Sequence, residues 1–195
     1  MRAMPFPGEV ETRAERAALL ETLDSLDDET FESGTTLCAE WAPRDILAHV
    51  MGLDTRMFTY AKHPGRLGKA NQEIVEKARA MPRDRLMHRA RHWAASPAPH
   101  MRVLGIAFLG DLGIHHQDIL RGQGKARDVP DPIRAAILRE GMMLGVRKLL
   151  DHRVAPTDGG TAFGRGQVVR GTSEALGLWL AGRDGLDDEL ERTAL

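Results

Sequence analysis

The chain has one cysteine, Cys38, among 195 residues. No internal disulfide can form, and no cysteine-based zinc site can be assembled. It also lacks an excess of either charge: 27 Lys and Arg stand against 28 Asp and Glu, a net charge of −1. A domain that binds nucleic acid by bulk electrostatics carries a clear basic excess, so that class is set aside. There is no run of about 18 apolar residues, which excludes a spanning helix and membrane partners. Residues 1–10 have no apolar core of the kind a secretory signal needs. No internal repeat and no low-complexity stretch occurs. These absences point to an intracellular protein of a reducing compartment, cytoplasmic by expectation. What is present is ordinary for a globular chain, with 42% apolar and 28% charged residues. A chain this long buries about 70% of its unfolded surface and needs no staple. The eight histidines are the feature that composition does not explain.

The pattern predicts helix for most of the length. Glu9 to Leu26 is rich in good helix formers, with Val10, Ala14, Ala17, Leu20 and Leu23 recurring at three or four. Asp27 to Glu40 reads as a loop. Pro43 suits the first turn of a second helix, with Asp45 near its positive end, running to about Ala61 before His63-Pro64-Gly65. Further helices are expected over Lys69–Met81 and Pro82–Ala95. Ser96-Pro97-Ala98-Pro99 is a break. A long helix then covers His100–Arg121, and another Asp131–Asp151. Helices joined by short loops read as an up-and-down four-helix bundle. After that the chain changes character. Gln167 to Arg170 reads as a short strand and Thr172 to Ala181 as a short helix. The expected division is a mainly α bundle over 1–152 and a small strand-and-helix extension over 153–195 packed on it.

Two places carry chemistry. His49 lies in an apolar stripe with Ile46, Val50, Leu53 and Met57; such a histidine is more often a core residue with one hydrogen bond than a ligand. On the long helix the stripe runs Leu104, Phe108, Asp111, His115, Ile119. Asp111 and His115 are four apart and share one face. A carboxylate on an apolar stripe is costly unless it is paired or holds a metal. The alternative is a surface His–Asp pair. With a third ligand from a facing helix, the pair would form a site with open positions. Oxygen and nitrogen donors fit zinc, nickel, iron or manganese, and ligand type alone does not choose among them; zinc is the expectation. Asp118, three beyond His115, can orient it from behind. His116 points about 100° away from His115, so it belongs behind the ligands rather than among them. His88 and His92 share the i, i+4 spacing but lie among Arg83, Arg85, Arg89 and Arg91, which repel a cation. Those arginines read as a solvated basic face, with a carboxylate site as the sharper alternative. Cys38 has no activating neighbour.

Trp41-Ala42-Pro43-Arg44-Asp45-Ile46-Leu47-Ala48-His49-Val50 resembles the first metal-ligand motif of the DinB-like superfamily. It is closest to the mycothiol-dependent maleylpyruvate isomerase branch, with its Trp, helix start and Leu-Ala-His-Leu. Asp111 through Ile119 resembles that branch's second motif, a Glu, three residues and a His, then a hydrophobic-Asp pair. The tail from Asp158 through Gly164-Arg165-Gly166 and Arg170-Gly171 to Leu180-Ala181-Gly182-Arg183 resembles its C-terminal ending. The resemblance implies His49, Asp111 and His115 as metal ligands. It implies mycothiol as co-substrate, and isomerisation or S-transfer on a small electrophile as the reaction. The family carboxylate is Glu; here it is Asp111, one methylene shorter. The chain is read as lacking the longer sterol-carrier-like C-terminal domain of the true isomerases. Arg165, Arg170 and Arg183 are the candidate contacts for an anionic substrate group. A non-catalytic helical protein that binds a metal or small molecule is the competing reading, and a homodimer is compatible with either.

Overall fold

A computed structural model describes residues 5–96 and 98–193. The side chains of Met57, Val103 and Leu104 lie outside that description, and with them the stripe positions read for Met57 and Leu104. The chain is mainly helical with a small C-terminal sheet, and it divides into two compact units. No described helix is long and apolar enough to cross a membrane.

The first unit takes in residues 1–106 and 115–126. It holds α1 (Glu9–Asp24), α2 (Asp28–Ser33), α3 (Pro43–Thr55), α4 (Met57–Lys62), α5 (Leu67–Arg79) and α6 (Arg83–Ala95), with both ends of α7 (Pro99–Gly122). Asp27, expected in a loop, caps α2 by accepting from the Thr30 amide at 2.7 Å. The second expected helix breaks at Arg56 into α3 and α4. In α1 the inward face differs from the expected stripe: Val10, Ala14 and Ala17 are exposed, while Glu15 and Arg16 are buried beside Leu19, Leu20 and Leu23. Both charges have interior partners. Glu15 meets His116 Nδ1 at 2.8 Å, and Arg16 meets Asp54 at 3.0 Å. Apolar periodicity misses such a face because paired charges take the place of apolar residues.

The second unit takes in residues 107–114 and 127–195, so it begins before the expected boundary at 153. It holds the middle of α7, α8 (Asp131–Leu144), α9 (Lys148–Asp151), β1 (His152–Pro156), β2 (Phe163–Gly164), β3 (Gln167–Gly171), α10 (Ser173–Leu180) and β4 (Glu191–Thr193). The sheet order is β2-β1-β3-β4, with β1 and β3 parallel and both edges antiparallel. The expected strand and helix of the tail are β3 and α10; β1, β2 and β4 are not marked by the sequence pattern. Val154, Val169, Leu176 and Leu178 are fully buried in one core with Ile133 and Ile137 of α8. The helix expected over 131–151 breaks at Gly145, where a Cβ would stand 2.6 Å from the Leu180 carbonyl oxygen. The α8–α10 crossing is as close at Gly141, whose added Cβ would lie 2.3 Å from the Gly177 oxygen.

Candidate metal centre

Local sequence sets the position of each ligand. α3 starts at Pro43, whose missing N–H costs nothing there. Asp45 turns back to accept from the Ala42 amide at 3.3 Å. Arg79 grips the same carboxylate with Nε at 3.0 Å and Nη2 at 2.7 Å. Two turns of fixed helix therefore carry His49 inward, where it is buried. The segment before α3 is pinned to the end of α7. The Leu37 amide donates to the Asp118 carbonyl at 3.0 Å, and Thr35 Oγ1 donates to the Gly122 carbonyl at 2.8 Å. Only glycine fits at 122, since a Cβ there would stand 2.4 Å from the Thr35 oxygen.

This pinning sets Trp41 against both histidines. Its ring centroid lies 4.8 Å from that of His49 and 5.8 Å from that of His115. The two histidine rings meet edge to face at 4.9 Å. Asp111 and His115 sit one turn apart on the unbroken helix α7, so α7 itself sets their spacing. His49, Asp111 and His115 each offer one ligand atom, and these atoms all lie within 4.8 Å of one another. In a tetrahedral zinc site with bonds near 2.0–2.1 Å, ligand atoms stand about 3.4 Å apart. Two imidazoles and one carboxylate, two of the three buried, suit a divalent ion with open positions.

Asp118 is fully buried and stands 2.9 Å from His115 Nδ1. A proton held on Nδ1 by that carboxylate leaves the Nε2 lone pair to a metal. His116 faces elsewhere: Nδ1 meets Glu15 and Nε2 meets Thr22 Oγ1, each at 2.8 Å. Arg165 and Arg170 are exposed, with Arg170 on β3 opposite Glu191, and Arg183 donates to the Ala181 carbonyl at 2.9 Å. Loss of an outer partner typically costs 10–100-fold in metal affinity. Asp118→Ala is expected to weaken zinc binding by about that factor while leaving the helical circular dichroism intact. A competition titration with a chromophoric chelator checks it, and unchanged affinity would remove Asp118 from the account.

Sequence reading missed two neighbours. Trp41 was read only as part of a motif, although an aromatic two residues before a Pro-led helix is a visible signal. Glu140 on α8 had no signal at all. It is half-buried, and burial first, then the Asp111 charge, raises its carboxyl above the usual range. A carboxyl raised by folding favours the protonated form, so its contribution to stability fades as pH rises through the folded value. In metal-free protein, Glu140→Gln is therefore expected to raise the melting temperature relative to the parent more at pH 8 than at pH 4.5. Scanning calorimetry at both pH values checks the sign, and an equal or reversed difference contradicts it.

Beside Trp41 lies a hollow of about 560 Å³, bordered by Ser33, Thr35, Thr36 and Glu40 and by the paired charges Arg44, Glu32, Arg79 and Asp45.

No family model matches the chain, and no curated protein does. Two solved structures match it over 96% of its length and 92% of theirs, each at 14% identity. They are a mycothiol-dependent maleylpyruvate isomerase, with a TM-score of 0.65, and a histidine-to-alanine variant of such an enzyme, with a TM-score of 0.70. The 92% coverage overturns the expectation that a long C-terminal domain separates this chain from such isomerases. The chain therefore shares the fold of these isomerases, mainly helical with a small C-terminal strand extension.

Proposed function

We propose that the chain is a metal-dependent enzyme that uses a low-molecular-weight thiol of the mycothiol type against a small electrophile, as an isomerase or S-transferase. The observation that carries this reading is the convergence of the His49, Asp111 and His115 ligand atoms, with His115 backed by buried Asp118. The fold likeness to mycothiol-dependent isomerases supports it. His49, Asp111 and His115 would hold a divalent metal, zinc first, which would lower the pKa of a coordinating thiol. The three ligands hold that charge in place, and Asp118 fixes the His115 tautomer. Trp41 closes one side with an apolar ring. The hydroxyl-rich hollow beside it suits the polyol body of such a thiol, since Arg44 and Arg79 are already paired with Glu32 and Asp45, and the Ser33, Thr35 and Thr36 hydroxyl oxygens can accept from its hydroxyls. The thiolate sulfur adds to an electrophilic carbon of the substrate. On an activated double bond the π pair moves onto the conjugated carbonyl as an enolate. In isomerisation the enolate re-forms the double bond after rotation and expels the thiolate. In S-transfer the C–S bond stays and the enolate carbon takes a proton from solvent, or halide leaves from a halogenated carbon. Arg165, Arg170 or Arg183 is the proposed contact for an anionic electrophile.

The test is thiol binding and turnover by the zinc-loaded full chain. Calorimetric titration with mycothiol, followed by assay against small unsaturated and halogenated electrophiles, is expected to show saturable binding and metal-dependent consumption. Metal bound without any thiol binding would contradict the proposal and leave a helical metal-binding protein.

A further inference from the structure

The basic stretch on α6 has a use that the metal centre does not absorb. Two of its arginines are structural. Arg83 donates to Asp28 and to the Leu23 and Leu26 carbonyls, at 3.0 and 2.7 Å for the latter two. Arg91 pairs with Asp24 at 2.7 Å. Arg85 is exposed. Arg89 differs from all three: it is half-buried, and among the described residues it makes no hydrogen bond or ion pair. A guanidinium taken partly out of water without a counter-charge is an unfavourable arrangement that an anion would relieve.

Arg89 borders a cavity of about 330 Å³ formed by the end of α3, one face of α6 and the start of α7. None of the proposed metal ligands lines it. That volume is at the small end of ligand sites. His88 and His92, both exposed, stand beside Arg89 at the same cavity. Its apolar wall is Met51, Trp93 and Ala98. A smaller hollow of about 40 Å³ shares Met51, Thr55 and Arg89 with it and continues over Ala48, Ile74 and Leu86. Asp54 also borders the cavity, but its carboxylate is met from inside by Arg16 at 3.0 Å, both side chains being buried. Arg16 in turn lies over the Trp93 ring at 4.3 Å and donates to the Trp93 carbonyl at 3.2 Å, which holds that wall in place. The cavity thus offers one uncompensated permanent cation, two histidine donors and a compact apolar floor.

We infer that this cavity is a binding site for a small carboxylic acid with a compact apolar body, such as an aryl or short alkyl carboxylate, held by Arg89. A single guanidinium beside an internally neutralised Asp54 matches a monoanion better than a phosphate dianion. Two N–H groups of the planar guanidinium can face the two carboxylate oxygens.

The test is calorimetric titration of the full chain, after incubation with zinc, using phenylacetate, benzyl phosphate and 2-phenylethanol. Phenylacetate is expected to bind saturably, benzyl phosphate more weakly and 2-phenylethanol not at all. Hydrogen bonds to a charged group contribute about 1.5–3 kcal/mol, so Arg89→Gln should weaken phenylacetate about 10–100-fold. Arg85→Gln and His49→Ala should leave its Kd within about twofold. Should Arg89→Gln disturb the circular dichroism, Ser96→Trp plugs the cavity from its exposed rim and must abolish binding. The inference is overturned by an absence of binding, by equal losses in the Arg85 and Arg89 variants, which would mark a general basic face, or by loss in His49→Ala, which would place the carboxylate at the metal centre.

Discussion

Asp111→Ala is expected to lose its divalent metal, with affinity falling by more than the ~10–100-fold that an outer partner costs. The variant keeps two neutral imidazoles but removes the only negative ligand of the His49–Asp111–His115 set. Neutral donors alone hold a divalent ion weakly, and the carboxylate also offsets its charge in a site where both histidines are buried. Asp111→Glu is expected to retain metal. The added methylene moves the carboxylate by about 1.5 Å, and the residue is half-buried, so its longer side chain keeps a carboxylate on the same face of α7. Competition with a chromophoric zinc chelator measures both variants. Full occupancy in Asp111→Ala would show that the carboxylate has been misassigned.

The second large effect is on stability, at the crossing of α8 and α10. Gly141→Val places a side chain where an added Cβ already lies 2.3 Å from the Gly177 oxygen and 2.7 Å from its Cα. The obstacle is backbone, so no rotamer change can relieve it. Overpacking typically costs 1–3 kcal/mol, and a backbone clash belongs at or above the top of that range, about 3 kcal/mol. For a chain of this size, each kcal/mol lowers the melting temperature by about 2–4 °C, so a fall of roughly 6–12 °C is expected. Gly68→Ala is the control. It lies in α5 with nothing within 4 Å of an added Cβ, and it should be neutral or slightly stabilising. A Gly141→Val protein melting within about 2 °C of the parent would contradict the close crossing.

The sequence marks helix ends better than helix faces. Pro43, Gly122 and the strand at 167–171 lie where turn and cap residues put them, because those signals are local. The breaks at Arg56 and Gly145 are not marked, since at Gly145 the cause is the approach of Leu180, which is distant in sequence. The buried face of α1 escapes an apolar pattern because Glu15 and Arg16 find partners at His116 and Asp54. Asp111 and His115 were legible because one helix sets their spacing. His49 entered only through the resemblance around Trp41–Val50, since periodicity alone makes it a core histidine. Glu140 and the paired charges around the hollow beside Trp41 depend on contacts across the fold, which no local pattern encodes.

Elemental analysis of the purified chain beside its His49→Ala variant tests the central claim most directly. The account predicts close to one equivalent of a divalent transition metal per chain in the parent and its loss in the variant, with helical content preserved. No metal in the parent after reconstitution with zinc, or equal metal in both proteins, would contradict the assignment of His49, Asp111 and His115 as a metal centre.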